Sequence, residues 1–138
     1  AEKRGINISI NKKEHKYKNY SSAIEFVITN EEGKKIYVVG TIGMNNEERI
    51  ISIKNHDVDM AISDNMIYLG NEDVPGVIGA VGATLGKENI NIATMNVGRR
   101  ENSAIMLLTV DSEVGRRALK ALRELSQIKW AHYLDLTI

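Results

Sequence analysis

Hydrophobic and polar positions alternate in short runs through the first part of the chain, and this two-residue period predicts strands. Ile6, Ile8 and Ile10 oppose Asn7, Ser9 and Asn11 in a first short, half-buried strand. Lys12 to Lys18 is a basic stretch that reads as a solvated linker. Alternation returns at Ile24, Phe26 and Ile28; Asn30-Glu31-Glu32-Gly33 then supplies hairpin turn chemistry, and Lys35 to Thr41 is the expected return strand. Gly40-Thr41-Ile42-Gly43 and Asn45-Asn46 mark a further turn before a strand from Arg49 to Lys54. Asn55-His56-Asp57 closes that strand ahead of Val58 to Ile62. The sum is a small antiparallel β-rich module over residues 1–63, with its boundary at Ser63-Asp64-Asn65. A lone sheet of that size buries too little surface, so the module is expected to be incomplete and to lean on missing chain or on the second module.

From residue 64 onward the period changes. Met66 to Leu69 is a short apolar strand, and Asn71-Glu72-Asp73-Val74-Pro75-Gly76 is a loop that opens a helix, with Pro75 expected in its first turn and Asp73 as its cap. Val77, Ile78, Val81 and Leu85 recur at helical spacing until Lys87-Glu88-Asn89 ends the run. Ile90 to Val97 reads as a strand, Gly98 to Asn102 as a charged turn and Ser103 to Val110 as a second strand. Asp111 or Ser112 is expected to cap a second helix whose stripe is Val114, Ala118, Ala121 or Leu122, and Leu125. Ile128 to Leu136 alternates as the last strand. The order βαββαβ over residues 64–138 is the ferredoxin-like arrangement, so the fold class is α+β: a small antiparallel β-rich module followed by a ferredoxin-like domain.

Composition changes this picture mainly by exclusion. Hydrophobic residues make up 43% and charged residues 26%, as in a globular protein with a core. Basic and acidic residues number 18 each, so no overall field favours nucleic acid or an anionic membrane. The absence of cysteine removes disulfides, thiolate metal sites and cysteine nucleophiles, and it fits a reducing cytoplasm. No apolar run is long enough to cross a bilayer and no signal pattern opens the chain, so a cytoplasmic location without membrane contact is expected. The first residue is Ala1, which suggests a piece of a larger protein.

Candidate chemistry is concentrated around residue 73. Unpaired amides at a helix start attract a carboxylate, Asp73 can accept from an ammonium group, and Asn71 offers both a donor and an acceptor. Those groups together match a free amino acid. Asn91 could add an amide from the same chain or from a dimer mate, although Asp73 as a plain cap and Asn91 as a turn residue are the bland readings. Gly76, Gly79, Gly82 and Gly86 share one arc of the first helix, which suggests close approach by a partner backbone or a small ligand. The spacing is not a dinucleotide or phosphate-loop fingerprint. Strand 103–110 is apolar on both faces, so its second face wants a cover, by another copy or another domain; scattered surface apolars are the alternative. His15, His56 and His132 have no metal-site spacing, and His132 reads as structural. Strand 103–110 lacks the aromatics a nucleic-acid platform needs, and no catalytic motif is present, so neither catalysis nor a resident cofactor is expected.

The stretch YLGNEDVPGVIGAVGATLGKENINIATMNVGRRE, residues 68–101, resembles the ACT domain of bacterial D-3-phosphoglycerate dehydrogenases. Gly40-Thr41, Arg49-Ile50-Ile51 and Val58-Asp59 resemble the intervening module that precedes ACT in the long form of that enzyme. The resemblance implies L-serine bound at an ACT–ACT dimer interface, feeding back on a catalytic domain beyond this chain in an NAD-dependent parent. It gives Asn71 and Asp73 to the polar groups of serine, the amides of Gly76, Val77 and Ile78 to its carboxylate, and Asn91 of a second copy to close the site. In some relatives the upstream module binds an anion. Here Thr41-Ile42-Gly43-Met44, Asn45 and Asn55-His56-Asp57 depart from that pattern, which leaves Arg49 and Lys54 as the anion contacts. The regulatory part of an iron–sulfur L-serine dehydratase looks like the same pair of modules, and a ligand-free oligomerisation domain is the reading from another class.

Overall fold

The computed structural model describes residue 17, residues 19–101 and residues 103–137. The strand expected at Ile6 to Ile10, His15 and all but Tyr17 of the basic stretch lie outside the described residues. Four antiparallel strands come first: β1 (Ile24–Thr29), β2 (Lys35–Ile42), β3 (Glu48–Ile53) and β4 (His56–Ala61), in that spatial order. Next in the chain are β5 (Asn65–Asn71), α1 (Val77–Lys87), β6 (Ile92–Arg100), β7 (Ser103–Val110), α2 (Arg116–Arg123) and β8 (Ile128–Asp135). Their sheet has the order β6-β7-β5-β8, all antiparallel, which is the expected βαββαβ arrangement.

Local chemistry explains most of the reversals. Gly33 takes a left-handed φ of 78° and Asn30 Oδ1 accepts from the amide of Lys34 at 2.8 Å, closing the first hairpin. The reversal between β3 and β4 is a two-residue turn in which Lys54 and Asn55 both have positive φ, 49° and 63°, the pairing that suits strand twist. His56 is therefore already in β4 rather than in the turn. Gly40 to Ile42 likewise belongs to β2, and the chain turns only at residues 43–46, where the Gly43 amide donates to Glu47.

Several boundaries differ from expectation for tertiary reasons. Strand β6 continues to Arg100, which pairs with Ser103, so Gly98 to Arg100 belong to the strand rather than to the expected charged turn. Gly76 precedes α1 with a φ of 88° and no side chain caps that helix; Pro75 lies ahead of it, and Asp73 pairs elsewhere. Gly115 stands before α2, again without a side-chain cap, so neither Asp111 nor Ser112 serves. Ile78, included in the apolar stripe of the first helix, is solvent-facing at 46% exposed, whereas Val77, Val81 and Leu85 are buried. Strand β1 is exposed along its whole length despite its alternation: among the described residues it is an edge strand that pairs only with β2.

The molecule has three layers. Both helices pack on one face of the second sheet, where Ile67, Leu69, Met106 and Leu108 meet Val81, Leu85, Ala118 and Leu122. The other face carries Met66, Ile105 and Leu107, and Ile53, Val58 and Met60 of the first sheet cover it. The second apolar face of β7 is thus covered within the chain, so the double-sided hydrophobicity of residues 103–110 is no reason for an oligomer. Gly70 is required at the end of this layer because a Cβ there would lie 2.3 Å from Trp130 Cε2. Tyr68 meets the Trp130 ring edge-on at 4.6 Å, and the Lys54 ammonium stands 4.9 Å from the Trp130 centroid. Among the described residues no helix is long and apolar enough to cross a membrane.

The layer contact yields a pH prediction. The Tyr68 hydroxyl is buried without a hydrogen-bond partner among the described residues, and burial pushes its pKa up from 10.0 to about 12. Folding favours the neutral phenol, so the unfolded chain loses its proton first and stability falls as pH rises from 10.0 to about 12. Urea midpoints of the unsubstituted chain should fall between pH 9 and pH 11 by more than those of Tyr68→Phe. At pH 7 the same substitution should be neutral or stabilising by up to ~1 kcal/mol, because it removes an unpaired buried group.

Candidate functional site

The junction of β5 with α1 builds a cleft. Asn71 ends β5 on the helix-facing side and is 1% exposed. Its Nδ2 donates to the carbonyl of Glu72 at 2.6 Å, while Oδ1 is buried and has no partner among the described residues. A buried polar atom without a partner costs about 1–3 kcal/mol unless something supplies the missing bond. The chain then climbs over Asp73, Val74 and Pro75, and Gly76 swings into a left-handed conformation to start α1. The first helical bond runs from the Ala80 amide to the Gly76 carbonyl, so the amides of Val77, Ile78 and Gly79 have no helical acceptor.

These residues border a cleft of about 310 Å³ lined by Asn71, Asp73, Gly76, Val77 and Ile78, with Val97, Arg99 and Met106 as its far wall. The structure thus brings together five of the six residues expected to bind the ligand. Arg99 is a cleft residue that the sequence reading misses, although it lies within the stretch at residues 68–101 that carries the resemblance. Its Nε stands 3.0 Å from Asp73 Oδ1, with the two side chains 66% and 35% exposed. An ion pair this open to solvent contributes ~0–1 kcal/mol, so it separates easily. The cleft presents a carboxylate, a guanidinium, a helix start and an unpaired amide oxygen within one small volume. That combination is complementary to a small zwitterion with a further polar group.

Asn91 stands apart. It is exposed, its Nδ2 donates to Asp111 Oδ2 at 2.6 Å, and it sits just before β6, whereas the cleft lies at the other end of that strand. Eight residues of extended chain separate Asn91 from Arg99, ~27 Å at strand rise, so Asn91 does not reach the cleft of its own chain.

The suggested anion contacts in the first sheet are engaged otherwise. Arg49 pairs with Glu47 and Asp59, each at 2.6 Å, and its pKa is raised first by the bond to Asp59. Lys54 lies over Trp130 and Tyr68. Neither cation is left bare, and the two do not converge on one site. The face of α1 bearing Gly79, Gly82 and Gly86 is open: a Cβ at any of them would meet nothing within 4 Å. Among the described residues, none is the close neighbour expected there. His56 is buried against Ser103, His132 is exposed beside Trp130, and among the described residues no cluster could hold a metal.

Residues 65–127 match the ACT domain family. Over 99% of its length the chain is 38% identical to the D-3-phosphoglycerate dehydrogenase of Archaeoglobus fulgidus and 33% identical to that of Bacillus subtilis, covering 26% of each. It is 32% identical to the enzyme of the same name from Methanocaldococcus jannaschii over 94% of the chain. The chain spans about a quarter of the length of the curated relatives it matches.

The unpaired amide oxygen gives a test that needs no ligand. Asn71→Leu replaces a half-satisfied polar side chain by an apolar one of similar volume and should leave the urea midpoint unchanged or raised, as should Arg99→Ala within ~1 kcal/mol. A loss of several kcal/mol in either variant would mean that the cleft is a structural element.

Proposed function

We propose that this chain, which carries an ACT domain at residues 65–127 and is similar to D-3-phosphoglycerate dehydrogenases along its length, is a regulatory piece of such an enzyme that senses free L-serine and feeds back on serine biosynthesis in the cytoplasm. Its regulatory place in that pathway follows from the ACT domain and the relatives; the ligand, the feedback and an NAD-dependent catalytic partner domain are inferred. The observation that carries the reading is the orphaned Asn71 Oδ1 inside a cleft flanked by Asp73, Arg99 and the start of α1. Asp73 receives the ammonium group. The amides of Gly76, Val77 and Ile78 receive the carboxylate, and Asn71 Oδ1 accepts from the ammonium or the hydroxyl.

A second copy completes this site. Strand β6 is a sheet edge with one row of backbone groups unpaired by its own sheet. Antiparallel pairing of two β6 edges about a two-fold axis brings the start of one strand to the end of the other. That symmetry carries Asn91 of the second copy toward the cleft, which explains how a residue about 27 Å away along its own strand can contribute. A ligand held between two chains acts by favouring one arrangement of the pair over another. An assembly domain without a ligand has no use for a buried, unpaired Asn71. The regulatory part of an iron–sulfur serine dehydratase would use the same cleft and is separated by its catalytic partner.

Calorimetry with L-serine should give a saturable signal that Asp73→Ala abolishes. L-alanine, which lacks the hydroxyl, should bind at least about tenfold more weakly because a group in the site is left unpaired. Sedimentation should show a tighter or reshaped dimer in the presence of serine. A flat titration at millimolar serine would favour the assembly reading.

A further inference from the structure

Strand β6 has two working faces. Val97 and Arg99 look into the cleft, whereas Asn96 and Gly98, one residue out of phase, face the first sheet. Asn96 Nδ2 donates to the Asp59 carbonyl at 3.4 Å. Gly98 is buried because β4 runs directly across it: a Cβ there would lie 2.7 Å from the Asp57 carbonyl oxygen, 3.0 Å from His56 Cβ and 3.2 Å from Val58 Cγ1. A second tie lies alongside. His56 Nε2 is 2.9 Å from Ser103 Oγ, and Ser103 Oγ donates to the Arg100 carbonyl at 3.0 Å. With the serine proton used there, the network assigns the imidazole proton to Nε2, and His56 Nδ1 is buried without a partner among the described residues.

We infer that occupancy of the cleft is relayed to the first sheet through this contact, with Gly98 and His56 as positioning residues. A ligand that engages Asp73 releases or redirects Arg99, and Arg99 is bonded through one peptide to the residue clamped under β4. Backbone against backbone leaves no slack there, so a shift at the end of β6 displaces β4 or is resisted by it. Linkage makes the effect reciprocal: whatever loosens β4 alters affinity in the cleft. This relay rests on the proposed amino-acid sensing and adds the route by which the signal leaves the site.

Hydrogen exchange of the whole 138-residue chain, with and without saturating L-serine, tests the relay. Exchange is expected to slow by about fivefold or more both in the loop at residues 71–76 and in β4, a coupling of the usual allosteric size. Gly98→Ala is expected to keep protection of the loop, lose the response of β4 and change serine affinity several-fold. Should that variant fail to fold, His56→Ala supplies the same readout, and His56→Gln, which retains a donor toward Ser103, should restore part of the response. Protection of the loop with β4 unchanged in the unsubstituted chain overturns the relay and leaves the sensor standing. Neither heat nor protection anywhere overturns the sensor, and the relay with it.

Discussion

The structure depends on burying both faces of β5 and β7. Ile67, Leu69, Met106 and Leu108 point to the helices while Met66, Ile105 and Leu107 point to the first sheet, and none is more than 3% exposed. Each such side chain contributes ~1.5–3 kcal/mol of transfer free energy, so a one-residue slip of either strand, which would exchange the two faces, is strongly opposed. That register fixes everything else. It puts Asn71 on the helix side at the end of β5, and it divides β6 into cleft-facing and sheet-facing residues.

The cleft is built from groups that fold at some cost. Asn71 keeps an acceptor unpaired, and Gly76 adopts a backbone conformation available to few other residues. The surrounding three-layer core holds both in place. Strained or unsatisfied groups persist where the rest of the fold over-determines them, and such positions tend to be functional. The Asp73–Arg99 pair is different in kind: it is weak and exposed, and it is easily exchanged for other charges.

Much of this is legible from residue order. Gly33 and Asn55 punctuate the hairpins, Val77, Val81 and Leu85 mark a buried helix stripe, and Asn71, Asp73 and Gly76 fall around one cleft as expected. The misses are tertiary. Side-chain chemistry points to Asp73 and to Asp111 or Ser112 as helix starts, but Gly76 and Gly115 occupy those positions, because the cap depends on the dihedral angles the loop adopts. Alternation at Ile24, Phe26 and Ile28 looks the same whether or not another layer covers it, so the exposure of β1 is not readable from it. The pairing of Arg99 with Asp73 joins a strand to a loop across the cleft and leaves no trace in spacing. The cover over β7 comes from the same chain, which hydrophobicity does not reveal: it shows that a face is buried without saying by what.

The stacking of Lys54, Tyr68 and Trp130 at the seam between the sheets has a practical consequence. Trp130 is the single tryptophan of the chain, and it touches residues from both layers. Its indole emission therefore reports the separation of the two sheets with no competing signal from another indole, and the molecule carries its own optical gauge of how its layers sit together.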